Sequence, residues 1–482
     1  MDRILGKQKL IKDISANAVQ TIAVQVFGIL IFYFTSKYLP KDQFGDLNWS
    51  MATCATAIAI CSLGLDLIFV KKVASGENVL MFARIHLFHT VLTGVFLIVL
   101  TGILTALIYP GFGRAHPVFL FVLASLSLSN IANSFKLGLN GLESYGKLAR
   151  ISVVANSVKL LLILAVFLAG NFSVLNVTLV FILTSLAELI LSYYFLKREL
   201  NHKIRPALVV TEYKYFILES LPQLGVVLFD SALARIDWIL LGIIGTAAVT
   251  AEYSFAYKIF EISKLPMLII APVLLTRFSN IFKDNEILAS SSSSINLFFR
   301  IEMFVIMLIP VFLVVTWSPI IDFFTDGKYG AANETTFLIL SGCVPMHAVI
   351  NFLWTIGFVK GRLKPIMVIT IIVSVINVVF NLLLIPYYAG EGAALAFLLS
   401  TITQLILYII FIRKSGFNIR FAPAVFSLIT AVVCSLGAKL LINNLIFAVI
   451  ASLLVYTAIH FVFRLIDPEQ IKKLLTAKQE IQ

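Results

Sequence analysis

The chain repeats one feature from end to end: a run of about twenty mostly apolar residues, closed by a charge, a Pro or a Gly, and then another such run. A soluble helix is apolar on one face only, whereas these runs are apolar all round and long enough to cross a hydrocarbon core about 30 Å thick. They fall near 14–36, 47–70, 85–109, 117–138, 149–169, 174–196, 218–243, 251–276, 296–317, 335–358, 364–385, 391–412, 422–441 and 445–463. The pattern predicts an all-α polytopic membrane protein of about 14 transmembrane helices. Composition bears this out, since 60% of the residues are hydrophobic and 13% charged, and a water-soluble fold has nowhere to put 40 phenylalanines.

Charge sets the orientation. The formal net charge of +12 does not read as a nucleic-acid surface, because Lys and Arg sit at the ends of apolar runs rather than on one face of a soluble domain. With the N-terminus inside, 28 Lys/Arg fall on cytoplasmic loops and ends, 5 on outer loops and 4 within spans. One span missed or invented early in the chain would erase that bias, so both termini are expected in the cytoplasm of a cell with a plasma (inner) membrane. The basic start (Arg3, Lys7, Lys9, Lys12) and the apolar run after it resemble a signal peptide. The run is long and has no A-x-A site, so it is read as a retained first helix.

Outer connections such as 170–173 and 245–250 are too short for a folded domain, and the cytoplasmic ones near 197–214 and 278–294 are polar linkers, the second with a serine run. From Asp467 the tail reads as a short amphipathic helix with Ile471, Leu474 and Leu475 on one face. Cys54, Cys61, Cys343 and Cys434 lie in apolar segments without metal-ligand spacing, and His86 and His89 are read as interfacial. No metal, cofactor or catalytic residue is expected.

A shift of about 216 residues aligns TSLAELILSYYFLKR (184–198) with STITQLILYIIFIRK (400–414), and Gly146-Lys147-Leu148 aligns with Gly361-Arg362-Leu363. Six spans separate the copies, so the halves share an orientation, as in transporters built from parallel repeats. The expected organisation is two six-helix lobes (1–200 and 201–417), two further helices (418–466) and a cytoplasmic tail (467–482). Two such lobes imply a cavity between them and alternating access.

An ionisable residue within a span is costly unless it is paired or faces water, so each is a candidate for function. Lys159, Arg235, Lys258 and Lys264 are the candidate substrate-binding cations, suited to an anionic group, with Arg able to fork onto two oxygens. Neutralisation by Asp230, Asp237, Glu252 and Glu261 in structural pairs is the plainer reading. Glu219, Asp230 and Asp237 share one face of a helix and, with Asp66 and Glu188, are the candidate ion-coupling residues; Glu302 lies near the inner end of its span.

Three motifs carry a family resemblance: YLPKDQFGDLNW (38–49), RIDWILLGIIGTAAVTAEYSFAYKIFE (235–261) and NLLLIPYYAGEGAALA (381–396). They resemble, respectively, the Y-L-G-P-x-x-F-G loop, the R-x-D-x-x-x-L-G joint and the N-x-x-L-I-P-x-Y-G-x-x-G-A-A connection of the polysaccharide transport family. That family includes the O-antigen and lipid-linked oligosaccharide flippases and belongs to the multidrug/oligosaccharidyl-lipid/polysaccharide exporter superfamily. Here Pro40 stands where the first motif has Gly, and Lys41 where it has Pro.

The resemblance implies a non-enzymatic bacterial flippase that moves an undecaprenyl-pyrophosphate-linked oligosaccharide to the outer leaflet. Lipid-linked oligosaccharide, membrane lipids and other polysaccharide-assembly proteins are the candidate partners. An ion-coupled small-molecule exporter of the same superfamily would share the helical core. A membrane-embedded polymerase or ligase would need a sizeable outer loop, which the sequence does not contain.

Overall fold

The computed structural model describes residues 2–107, 117–267, 287–415 and 421–463, with Leu274, Phe278 and Leu465; side chains of 2–19, 105–107, Pro222, Val226, Asp230, Ala232, 287–295 and Phe298 lie outside that description. The tail expected to be amphipathic, from Asp467, also lies outside it. Among the described residues the chain is helical, with no strand, and it divides into two compact units, Met1–Ala251 and Glu252–Gln482.

The first unit holds α1 (Asp2–Tyr38), α2 (Lys41–Cys61), α3 (Leu65–Ala74), α4 (Val79–Leu107), α5 (Pro117–Gly141), α6 (Tyr145–Leu168), α7 (Val174–Leu200) and α8 (Val210–Ile244). In it α5 packs on α7, α4, α2 and α3, while α1 lies on α6 and α8 on α2. The window near 47–70 is not one straight helix: α2 and α3 meet at 56° across Leu63 and Gly64, both at positive φ. Gly64 is needed there twice over, because a Cβ would also come within 2.7 Å of Gln223 on α8.

Two of the sequence motifs meet in this unit. A Cβ on Gly45 would run into the Ala247 carbonyl, and one on Gly242 would run into the indole of Trp49, whose Nε1–H donates to the Ile239 carbonyl at 3.2 Å. Apolar side chains gain little by leaving lipid for a helix interface, so such interfaces rely on small residues that let backbones approach. The F-G of the first motif and the L-G of the second are therefore two sides of one contact.

α9 (Ala247–Ser263) leads into the second unit, which continues with α10 (Ile287–Thr325), a short 3-10 turn (Ala331–Asn333), α11 (Glu334–Val359), α12 (Leu363–Lys414), α13 (Ala422–Leu441) and α14 (Leu445–Val462). The serine run expected in a linker belongs to the start of α10 instead. Pro310, Pro319 and Pro345 sit inside helices, as membrane helices tolerate. α12 spans 52 residues, about 78 Å if straight, but it breaks at Ala389 (φ 49°, ψ −123°), three residues after Pro386. The third motif is that joint, and Ala389 occupies the position where the motif has Gly.

Among the described residues ten helices are long and apolar enough to cross a membrane, or eleven if α2 with α3 counts as one span. The two halves of α12 counted apart, together with α8 and α9, make the expected fourteen compatible with this. Apolar side chains also face outward, with Leu161 64%, Ile190 66% and Leu440 82% exposed, which suits lipid and not water.

Candidate functional site: a polar cavity in the first unit

Three helices of the first unit each carry a polar stripe at helical spacing: Ser125, Ser129 and Lys136 on α5; Ser152, Asn156 and Lys159 on α6; Thr184, Ser185 and Glu188 on α7. The stripes face one another across a cavity of about 310 Å³, to which α1 adds Gln20. Lys136 Nζ meets Glu188 Oε1 at 2.7 Å, and Ser129 Oγ donates to Glu188 Oε2 at 3.4 Å. Both members of the ion pair are about one-fifth exposed (21% and 19%), so the pair is partly desolvated yet open to the cavity. The Lys159 ammonium lies 3.9 Å from the centroid of the Phe181 ring. Ser125 and Ser185 share a hydrogen bond at 3.0 Å. The cavity thus presents two cations to one acid, surrounded by hydroxyls.

A second cavity of about 330 Å³ is also lined by Leu126, Ser129 and Lys136 and adds Asp66, Asn130 and Asn133. Asp66 stands in the first turn of α3, just past the Gly64 bend, so the bend is what turns its carboxylate towards α4 and α5. Its Oδ1 meets His86 Nε2 at 3.0 Å, and His86 Nδ1 meets Ser134 Oγ at 2.8 Å. His86 is 2% exposed and stacks on Phe69, while His89 contacts the Tyr213 hydroxyl and the Cys61 carbonyl, both at 2.9 Å. Both histidines are thus buried within the protein, and each ring nitrogen has a partner.

The structure gathers Lys159 and Glu188 at one cavity and Asp66 at its neighbour. Glu219 is held elsewhere, by Lys71 at 3.2 Å and Lys72 at 2.9 Å. Asp237 is buried, and its Oδ1 accepts from the Trp238 backbone N–H. Arg235 is exposed on α8, and the side chain of Asp230 on the same helix is outside the described set. Lys258 pairs with Glu261 at 2.9 Å in the second unit. Lys264 lies in the turn after α9, its ammonium 4.3 Å from the Phe260 ring centroid.

Lys136 is the residue sequence reasoning missed, because its place near the end of a span assigns it to the cytoplasmic cations. Its spacing of 7 and 11 residues from Ser129 and Ser125 was the available signal. Among the described residues no group of three or more His, Cys, Asp or Glu could hold a metal, and all four cysteines are free thiols.

Among the described residues the chain is helical, with multiple helices long and apolar enough to cross a membrane, which makes it a multi-pass membrane protein with a polar, charged cavity inside one unit. The model of the family described as "Polysaccharide biosynthesis protein" matches residues 10–282. The chain belongs to that family.

Its fold is shared with several solved structures. One is the "Lipid II flippase MurJ, inward closed conformation", at TM-score 0.73 and 14% identity, covering 93% of this chain and 98% of that one. Another is an inward-facing "multidrug resistance MATE family transporter of the MOP superfamily", at TM-score 0.65 and 14% identity, covering 83% and 98%. A third is a MOP superfamily transporter from Pyrococcus furiosus, at TM-score 0.53 and 13% identity, covering 86% and 97%. No curated protein matches the chain.

Proposed function

We propose that this protein is a flippase that carries an undecaprenyl-pyrophosphate-linked oligosaccharide from the inner to the outer leaflet of a bacterial plasma membrane, by alternating access and without catalysing a reaction. Membership of a polysaccharide biosynthesis family supports the substrate class, and the likeness to a lipid II flippase supports the fold for such work. The observation that carries the reading is the cavity of the first unit, where Lys136 and Lys159 stand with Glu188 among serine, threonine and asparagine side chains.

Lys159 and Lys136 act as point charges for phosphate oxygens, and the hydroxyls and amides offer both donors and acceptors to phosphate or sugar. Glu188 neutralises Lys136 when the cavity is empty, so substrate phosphate and Glu188 compete for the same ammonium. Arg235, Lys258 and Lys264 are further proposed contacts along the route. Asp66, beside His86, and the buried Asp237 are the acids best placed for ion coupling; Asp230 and Glu219 complete that candidate set. Both termini are placed in the cytoplasm by the charge bias.

The test is binding to the purified protein, read by native mass spectrometry, with the lipid-linked oligosaccharide and with an undecaprenyl lipid lacking the pyrophosphate. The pyrophosphate lipid should bind more tightly, and Lys159→Met should weaken it roughly tenfold, equivalent to about 1.4 kcal/mol, the loss of one charge-assisted contact. Equal binding of the two lipids, or indifference to Lys159→Met, would contradict the role of this cavity. The MATE-like fold keeps one rival, a small-molecule exporter, which selective binding of small cations over both lipids would favour.

A further inference from the structure

The second unit buries an acid that the proposed transport path does not use. Glu302 on α10 is 1% exposed, and neither of its carboxylate oxygens has a hydrogen-bond partner. Its polar neighbour is Asn351 of α11, whose Nδ2 is likewise buried and without a partner. Among the described residues no cation lies within ion-pair distance of it, and Glu302 follows Phe299 and precedes Met303, Ile306 and Met307, all buried.

The titratable groups on the elements around it are few. Arg300 is two residues away on α10, with a buried, unpartnered Nε. His347 is one turn from Asn351 on α11, with an unpartnered Nε2. On α14, His460 is bonded to Ser427 at 2.9 Å, and the Tyr456 hydroxyl donates to the Phe304 carbonyl at 3.4 Å. Cys434 is buried on α13.

An ionised carboxylate with no cation beside it in such surroundings costs on the order of several kcal/mol. The neutral acid solves both deficits: its O–H can donate to the Asn351 amide oxygen, and its carbonyl oxygen can accept from Asn351 Nδ2. An acid buried inside a membrane span is a candidate for carrying a proton across a conformational cycle. We propose that Glu302, together with Asn351, is a proton-binding site of the second unit, filled in the conformation described and emptied to water in another conformation of the transport cycle. The proton comes from and returns to water, so no other reactant is needed. The cycle part of this rests on the transporter reading; the site itself does not.

The experiment is infrared difference spectroscopy of the purified protein in lipid, wild type against Glu302→Gln and Asn351→Ala, across pH and with and without sodium. Wild type at neutral pH should show a protonated-carboxyl C=O stretch that Glu302→Gln abolishes and Asn351→Ala shifts, unaltered by sodium. Absence of that band at neutral pH, or its replacement by a carboxylate band that moves with sodium, would overturn the proton site. Should Glu302→Gln fail to fold, modification of the folded wild type with an apolar carbodiimide decides: a protonated buried acid gives a mass-shifted peptide at Glu302, diminished at high pH, and no adduct there in the folded protein, when the denatured protein is modified at Glu302, refutes the site. If the band is present but a pH gradient leaves wild-type transport unaltered, the coupling half is overturned. A protein that transports no lipid yet keeps the band would instead overturn the flippase reading alone.

Discussion

Ala389 gives the account a sharp energetic test. It is the break in α12, at φ 49° and ψ −123°, a region open to glycine and strained for any residue with a Cβ. Such strain costs on the order of 1–3 kcal/mol. Ala389→Gly relieves it and loses roughly 0.4–1 kcal/mol to the greater freedom of the unfolded chain, so a net gain between about 0 and 2.6 kcal/mol is expected. Ala389→Val should lose stability, since a β-branched side chain crowds the same backbone further. The assay is thermal or denaturant unfolding of both variants in one detergent, followed by intrinsic fluorescence. A lower midpoint for Ala389→Gly, or equal midpoints for Gly and Val, would refute the strained joint.

Three further outcomes follow from the packing and charge. Gly45→Ala drives a methyl into the Ala247 carbonyl and should cost about 1–3 kcal/mol of stability, against almost nothing at the uncrowded Gly28; unfolding midpoints compare them. Lys136→Ala strands the Glu188 carboxylate in a partly desolvated cavity and should destabilise by about 1–3 kcal/mol, most of it recovered in Lys136→Met/Glu188→Gln, as a double-mutant cycle would measure. For topology, a cysteine at the exposed Asn171 should react with an impermeant thiol reagent outside intact cells and one at the exposed Lys203 should not, the reverse pattern contradicting the orientation.

Much of the architecture was legible in the sequence because lipid imposes a length and an apolarity that leave few alternatives. The family motifs were legible as strings, but their physical meaning was not. Only the fold shows that Gly45 and Gly242 belong to one helix contact, and that the third motif is a break set at positive φ. The bend at Leu63 and Gly64 was missed because both flanks are apolar and a window of twenty residues averages across it.

The site was half visible. Lys159, Glu188 and Asp66 stand out as charges within spans, whereas Lys136 hides near a helix end. Serines and threonines carry too little weight on a hydropathy scale to mark a stripe, yet Ser125, Ser129, Ser152, Thr184 and Ser185 make half of the polar wall. The pairing of His86 with Asp66 is hidden in the sequence, because the two are 20 residues apart along the chain and 3.0 Å apart in space.

The central claim is lipid flipping, and a leaflet assay reaches it most directly. The purified protein is reconstituted into liposomes carrying lipid-linked oligosaccharide, outer-leaflet sugar is consumed with an impermeant oxidant, and the later appearance of fresh sugar outside is timed. Proteoliposomes should restore the outer signal several-fold faster than protein-free liposomes, and Lys136→Met/Lys159→Met should fall back towards the protein-free rate. Restoration no faster than in protein-free liposomes, from correctly folded protein, would contradict the account.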